Sequence, residues 1–179
     1  MSDEQIMTLV KKGKLDALSG LFDRYHVKLY NFFLRLTQDA SLSEDLVQNV
    51  FERIIKYRQS YRGDSSFRAW MYQIARNVRA DHYRLNRIKI DDAIEPSQLE
   101  LTTGTHQEVM EINERNKELE RAIMKLKPEY REVLWLGWFE KMSYAEVGEI
   151  MGITVSNVKI RMHRAIKQLR GHYNKTSCL

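Results

Sequence analysis

The chain has 179 residues, 43% hydrophobic and 30% charged, with 29 Lys and Arg against 24 Asp and Glu for a formal net charge of +5. That length buries one ordinary core or two small ones, and no run approaches the roughly 20 apolar residues that span a bilayer, so membrane insertion is set aside. Cys178 is the only cysteine, which excludes an intrachain disulfide and any Cys-based metal site.

The opening MSDEQIMTLVKKGK lacks the basic start and apolar core of a signal peptide, and a cytoplasmic protein is expected. Two prolines and eight glycines leave little turn chemistry for strands, and helical periodicity runs almost throughout, so the fold class is all-α: two small helical domains joined by a flexible linker. The first domain is expected over residues 3–87, with helices near Asp3 to Lys12, Leu15 to Thr37, Leu42 to Lys56 and Phe67 to Arg87. Between the last two lies YRGDSSF, where Gly63 and Asp64 break the helix and Ser65 or Ser66 can cap the next.

The stretch FRAWMYQIARNVRADHYR, Phe67 to Arg84, carries two faces. At about 100° per residue, Phe67, Trp70, Met71, Ile74, Ala75 and Val78 form a core stripe. Arg68, Tyr72, Arg76, Arg79 and Tyr83 fall on an arc rotated by roughly 130°, and Asn77, Arg84 and Arg87 fill other parts of the surface. Arginines meet phosphates, and rings stack on unstacked bases at about 1–3 kcal/mol per base, so this face suits opened or single-stranded nucleic acid. The alternative is a solvated basic helix with half-buried tyrosines.

Residues 88–106, with Pro96, Gly104 and a TTGT run, read as a linker too short to pack as a domain. From Asp91 to Glu120 nine acids face two bases, a net charge of −7, whereas no Asp or Glu follows Glu149. Two basic modules joined by an acidic connector point to a polyanionic partner. The second module, 107–175, contains SYAEVGEIMGITVSNVKIRMHRAIKQL. Ser143 and Glu146 form a capping box, Gly152 supplies a stop, and Thr154 can cap a second helix. That helix is expected to turn Val155, Val158, Met162, Ala165, Ile166 and Leu169 inward and Ser156, Asn157, Lys159, His163, Arg164 and Lys167 outward, the arrangement of a DNA-binding helix-turn-helix.

Catalytic chemistry is not indicated. His26, His82, His106, His163 and His172 show no HxxxH or HExxH spacing, and no Gly-rich loop cradles a phosphate. Glu44 and Asp45 fall near a helix start, where the macrodipole favours acids, and Asp91 and Asp92 in the linker. Neither an enzyme nor a cofactor or metal is expected.

In order, these pieces resemble the small extracytoplasmic-function (ECF) sigma factors of the bacterial sigma-70 family. DALSGLFDRYHVKLYNFFLRL with SEDLVQNVFERIIKY is similar to regions 2.1 and 2.2, YRGDSSFRAWMYQIARNVRADHYR to the promoter-opening regions 2.3 and 2.4, and LKPEYREVLWLGWFEKMSYAEVGEIMGITVSNVKIRMHRAIKQL to region 4. No room is expected before Asp3 for an inhibitory domain, nor in the linker for the middle domain of larger sigma factors. The resemblance implies binding to core RNA polymerase, recognition of the −35 duplex by region 4 and melting of the −10 element by region 2. It implies that Tyr61, Ser66, Phe67 and Asn77 surround a flipped base, with Ile74 as a pocket wall and Arg76, Arg79 and Arg84 on phosphates. It places Asp45, Gln48 and Phe51 on the β′ clamp helices, with core packing the alternative for Phe51, and it implies the β flap as a further contact. Lys159, His163 and Arg164 would face the −35 groove, with Ser156 and Asn157 on phosphates. An anti-sigma factor, often membrane-anchored, is implied as well. Asn49 stands where the family often has Glu, and Ile160 and His163 depart from better-known members, so no −35 sequence is carried over. A helix-turn-helix regulator that forms no holoenzyme is the competing reading.

Overall fold

The computed structural model describes residues 1–63, 66–91 and 114–176, with side chains described to Leu85 in the fourth helix, from Glu118 in the fifth and to Asn174 in the last. Asp64, Ser65, the linker beyond Asp91, the expected domain start at 107 and the side chain of Arg87 lie outside the described residues. Among the described residues there are eight α-helices and no strand. The chain divides into two compact units, Met1–Thr103 and Gly104–Leu179.

In the first unit, α1 (Asp3–Lys11) starts from a capping box absent from the sequence expectations: the Ser2 hydroxyl accepts from the Gln5 N–H at 3.3 Å and the Gln5 side chain accepts from the Ser2 N–H at 2.8 Å. Asp3 then ties α1 to the next helix, accepting from Arg24 at 2.6 Å and from the Tyr25 hydroxyl. The expected helix from Leu15 begins as a 3-10 turn, Leu15–Leu18, and becomes α2 at Ser19–Thr37. Gln38 ends it in the left-handed conformation, φ 62°, and Asp39 caps α3 (Ala40–Tyr57) by accepting from the Leu42 N–H at 2.9 Å. Because the cap is Asp39, α3 starts ahead of the expected Leu42. A 3-10 turn, Arg58–Ser60, leads toward α4 (Phe67–Asp91), which runs past the expected end at Arg87. Leu21, Leu29, Phe32, Val50, Phe67 and Met71 are among the first unit's enclosed side chains, each worth about 1.5–3 kcal/mol of burial.

In the second unit, α5 (Glu114–Met124) is followed by α6 (Pro128–Leu134), whose Pro128 occupies the first turn, where the missing N–H costs nothing. α6 continues into a π-helical turn, Trp135–Phe139, before α7 (Tyr144–Met151) and α8 (Val155–Thr176). Leu136, Val147, Val158 and Ala165 are fully buried. Among the described residues no helix is long and apolar enough to cross a membrane, and no group of three or more His, Cys, Asp or Glu could hold a metal ion.

Candidate nucleic-acid interface

The second unit's interface is set by the turn between α7 and α8. Ser143 and Glu146 close the expected capping box, with the Glu146 N–H donating to the Ser143 hydroxyl at 3.3 Å and the Ser143 N–H to the Glu146 carboxylate at 2.9 Å. Gly152 takes φ 66°, a conformation that a side chain would strain, and the Ile153 N–H donates to the Gly148 carbonyl oxygen at 2.9 Å. Gly148 is needed for closeness: a Cβ there would lie 2.8 Å from the Ile153 carbonyl oxygen. Thr154 accepts from the Asn157 N–H at 3.3 Å and so starts α8 as expected.

Along α8, Val158, Met162 and Ala165 are buried, while Ser156, Asn157, Lys159, His163, Arg164 and Lys167 are exposed. The buried stripe thus fixes which side of the helix faces out. Val155 corrects the sequence expectation, being 42% exposed. A helical side chain covers the turn preceding its own Cα, and for the first residue of α8 that turn is the solvent-facing one at Thr154. Ile160, 48% exposed, adds an apolar group to the same outer surface.

In the first unit, the aromatic face expected around α4 is largely interior. Tyr72 is fully buried with its ring edge-on to Phe32 at 5.2 Å, so it belongs to the core and not to the outer arc. The helical wheel assumed one apolar stripe, but α4 meets α3, α1 and Phe32 of α2, which widens its buried sector. Tyr61 is 3% exposed and Phe67 fully buried; the Tyr61 ring lies 5.2 Å from Trp70 and 6.2 Å from Phe67. Trp70 is half-buried, Ile74 is buried, and Tyr83 reaches solvent. Ser66 is the cap of α4, its hydroxyl accepting from the Ala69 N–H at 3.2 Å. Arg68, Arg76 and Arg79 are half-buried and Asn77 and Arg84 exposed, leaving a predominantly cationic surface over an aromatic interior. Among the described side chains of α4 one acid stands beside these cations: Asp81 accepts from Arg84 at 3.1 Å and from Arg53 of α3 at 2.8 Å.

On α3, Asp45, Gln48 and Glu52 are exposed on one face, and Asn49 donates its side-chain amide to the Asp45 carbonyl oxygen at 2.8 Å. Phe51 is 7% exposed beneath Phe22, ring centroids 4.9 Å apart, and Phe22 is stacked on His26 at 4.8 Å. The accessible ring of this group is Phe22, whose i, i+4 pairing with His26 was the signal available in GLFDRYH. A second surface not read from the sequence is an apolar groove in the second unit, lined by Leu119, Ile123, Leu134, Trp138, Phe139 and Ile166, with Trp138 68% exposed.

Two family descriptions match the chain in order: Sigma-70 region 2 over residues 21–88 and Sigma-70, region 4 over residues 116–169. The ECF RNA polymerase sigma factors SigW and SigM of Bacillus subtilis are 30% and 31% identical, aligned over 90% and 88% of this chain and 91% and 96% of their own. RNA polymerase sigma factor YlaC of the same organism is 29% identical over 90% of this chain and 94% of its own. The fold is similar to that of CnrH, solved in complex with the cytosolic domain of CnrY, with a TM-score of 0.69, 22% identity and 97% of both chains covered. RpoE from Bartonella quintana, solved with the anti-sigma factor NepR, gives a TM-score of 0.67 at 21% identity, with 88% of this chain and 96% of its own covered. With the helix-turn-helix, the cationic α4 surface and both regions in their proper order, the chain belongs to the sigma-70 family of RNA polymerase sigma factors, in its extracytoplasmic-function subfamily.

Proposed function

We propose that this protein binds core RNA polymerase and directs it to a set of promoters, acting stoichiometrically in the cytoplasm and without a cofactor. The observation that carries the reading is α8: a helix whose buried stripe presents Ser156, Asn157, Lys159, His163 and Arg164 to solvent, in a sequence with no Asp or Glu after Glu149. Lys159, His163 and Arg164 read the −35 duplex in the major groove, and Ser156 and Asn157 hold phosphates at the helix N-terminus. In region 2 (residues 3–87), Ser66, Ile74 and Asn77 border the captured −10 base while Arg76, Arg79 and Arg84 meet phosphates. Tyr61 and Phe67, being enclosed, serve by bracing the segment that receives the base. Capture of an extruded base repays part of the few kcal/mol spent on unstacking it, which opens DNA without ATP.

Asp45 and Gln48 dock on the β′ clamp helices, with Phe51 supporting Phe22 as the apolar element of that contact. The groove beside Trp138 in region 4 (within residues 107–175) is the surface for the β flap or, in the inhibited state, for an anti-sigma factor, a class of partner with which the similar fold of RpoE was solved. The test is run-off transcription by purified core polymerase, with and without this protein, on fragmented genomic DNA of its source. Start sites that depend on the protein are expected. Their absence, together with failure to co-elute with core polymerase, would leave a helix-turn-helix regulator as the better reading.

A further inference from the structure

Helix α1 contributes no residue to either proposed surface of the first unit, yet it is tied down at both ends. At its start Asp3 holds Arg24 and Tyr25. At its finish, the Lys11 Nζ donates to the Tyr61 carbonyl oxygen at 2.6 Å, and the Gln59 side-chain amide donates to the Lys11 carbonyl oxygen at 2.9 Å. These two bonds run in opposite directions across sequence separations of 50 and 48 residues. They grip the chain just before Gly63, which takes φ 80°. The backbone N–H of Tyr61 donates to the Arg58 carbonyl oxygen at 3.4 Å. The Tyr61 ring is meanwhile held against Trp70 and Phe67 of α4. One residue is therefore fixed from two sides, by its ring on α4 and by its carbonyl on α1.

We infer that Lys11 is a positioning residue for −10 base capture, setting the place of the Tyr61–Gly63 backbone relative to α4. The inference rests on the proposed −10 role of this part of region 2. A charged donor on a half-buried carbonyl makes a stronger tie than a neutral pair. A capture site has to be ordered before the base arrives, because ordering it afterwards is subtracted from the binding energy. α1 acts as a strut: Asp3 fixes its position on α2 and Lys11 transmits that position to the backbone ahead of Gly63.

The test uses holoenzyme assembled with the wild-type protein, Lys11→Met, Lys11→Arg and Gln59→Leu, each selecting from a randomised single-stranded oligonucleotide pool. Affinity for core polymerase and the melting temperature of each variant are measured alongside. Lys11→Met, which keeps the apolar stem and removes the donor, is expected to reduce enrichment of the preferred base about tenfold at unchanged polymerase affinity. Lys11→Arg retains a donor and restores the preference. Gln59→Leu, at an exposed side chain, shifts it in the same direction by less and covers the case in which Lys11→Met does not fold. Folded variants with wild-type base preference, even at a lower melting temperature, overturn the inference by reducing the contact to a purely structural one. A wild-type holoenzyme that enriches no base instead removes the −10 reading itself, and the role of Lys11 with it.

Discussion

Asp81 is an acid on the side of α4 that is proposed to face DNA, and replacing it with Asn separates two effects that its two oxygens combine. One oxygen takes Arg53 of α3 at 2.8 Å, with both side chains about 30% exposed (29% and 31%). The other takes Arg84 at 3.1 Å, and Arg84 is 73% exposed. The interhelical pair with Arg53 is the one that holds structure; a partly shielded pair of this kind is worth about 1 kcal/mol. For a domain of this size that lowers the melting transition of the first unit by about 4–8 °C. The pair with Arg84, largely in water, contributes a few tenths of a kcal/mol at most. Its loss matters differently, because the pair with Asp81 holds back part of Arg84's charge from the phosphate that it is proposed to meet. Completing that contact steepens the dependence of log K on log salt by up to about 0.7 on a single strand or about 0.9 on duplex. Asp81→Asn is therefore expected to weaken the fold slightly while tightening DNA binding at low salt and making it more salt-sensitive. Anisotropy titrations of holoenzyme on a labelled promoter fragment across a KCl series, with calorimetry of the free protein, read both numbers. An unchanged salt slope would refute the claim that Asp81 restrains Arg84, whatever the melting temperature did.

Asn77→Ala, at an exposed position, should leave melting temperature and polymerase affinity unchanged while reducing open complexes detected by permanganate footprinting; equal loss of polymerase binding would remove Asn77 from the −10 site. Arg164→Ala should cost about 1–3 kcal/mol on a cognate −35 duplex if it reads a base, and should reduce the salt slope by about 0.9 with no change in sequence preference if it holds a phosphate. Gly148→Val should destabilise the second unit by about 1–3 kcal/mol or more in denaturant titration, since a Cβ 2.8 Å from the Ile153 carbonyl oxygen forces the turn apart.

What was legible in the sequence was local. The Ser143 box, the Gly152 stop and the Thr154 cap each involve residues a few positions apart, and each is where the spacing put it. What failed was any judgement that needed to know how many neighbours a helix has. Tyr72 was placed outside because one stripe already accounted for the core, whereas Phe32 of α2 encloses it from another side. Phe51 reads from sequence as either a polymerase contact or core, and what decides for core is its contact with Phe22, which joins α2 to α3. The bond from Lys11 to Tyr61 spans 50 residues and obeys no periodicity, so nothing in either segment announces it.

The same contrast governs how the two parts proposed to face DNA come into being. The helix-turn-helix turn is stitched by bonds between Ser143 and Glu146, Gly148 and Ile153, and Thr154 and Asn157, all of which close very short loops. The first unit must close much longer ones, from Asp3 to Arg24 and from Lys11 to Tyr61. Loop-closure entropy is lost before such distant contacts reward it, and chains rich in local contacts fold faster. The α7–α8 turn is therefore the quicker to form, although it leaves the ribosome last. The strut at Lys11 locks only once residues through Tyr61 have emerged, so a nascent chain halted before that point can hold α1 at Asp3 but not at Lys11.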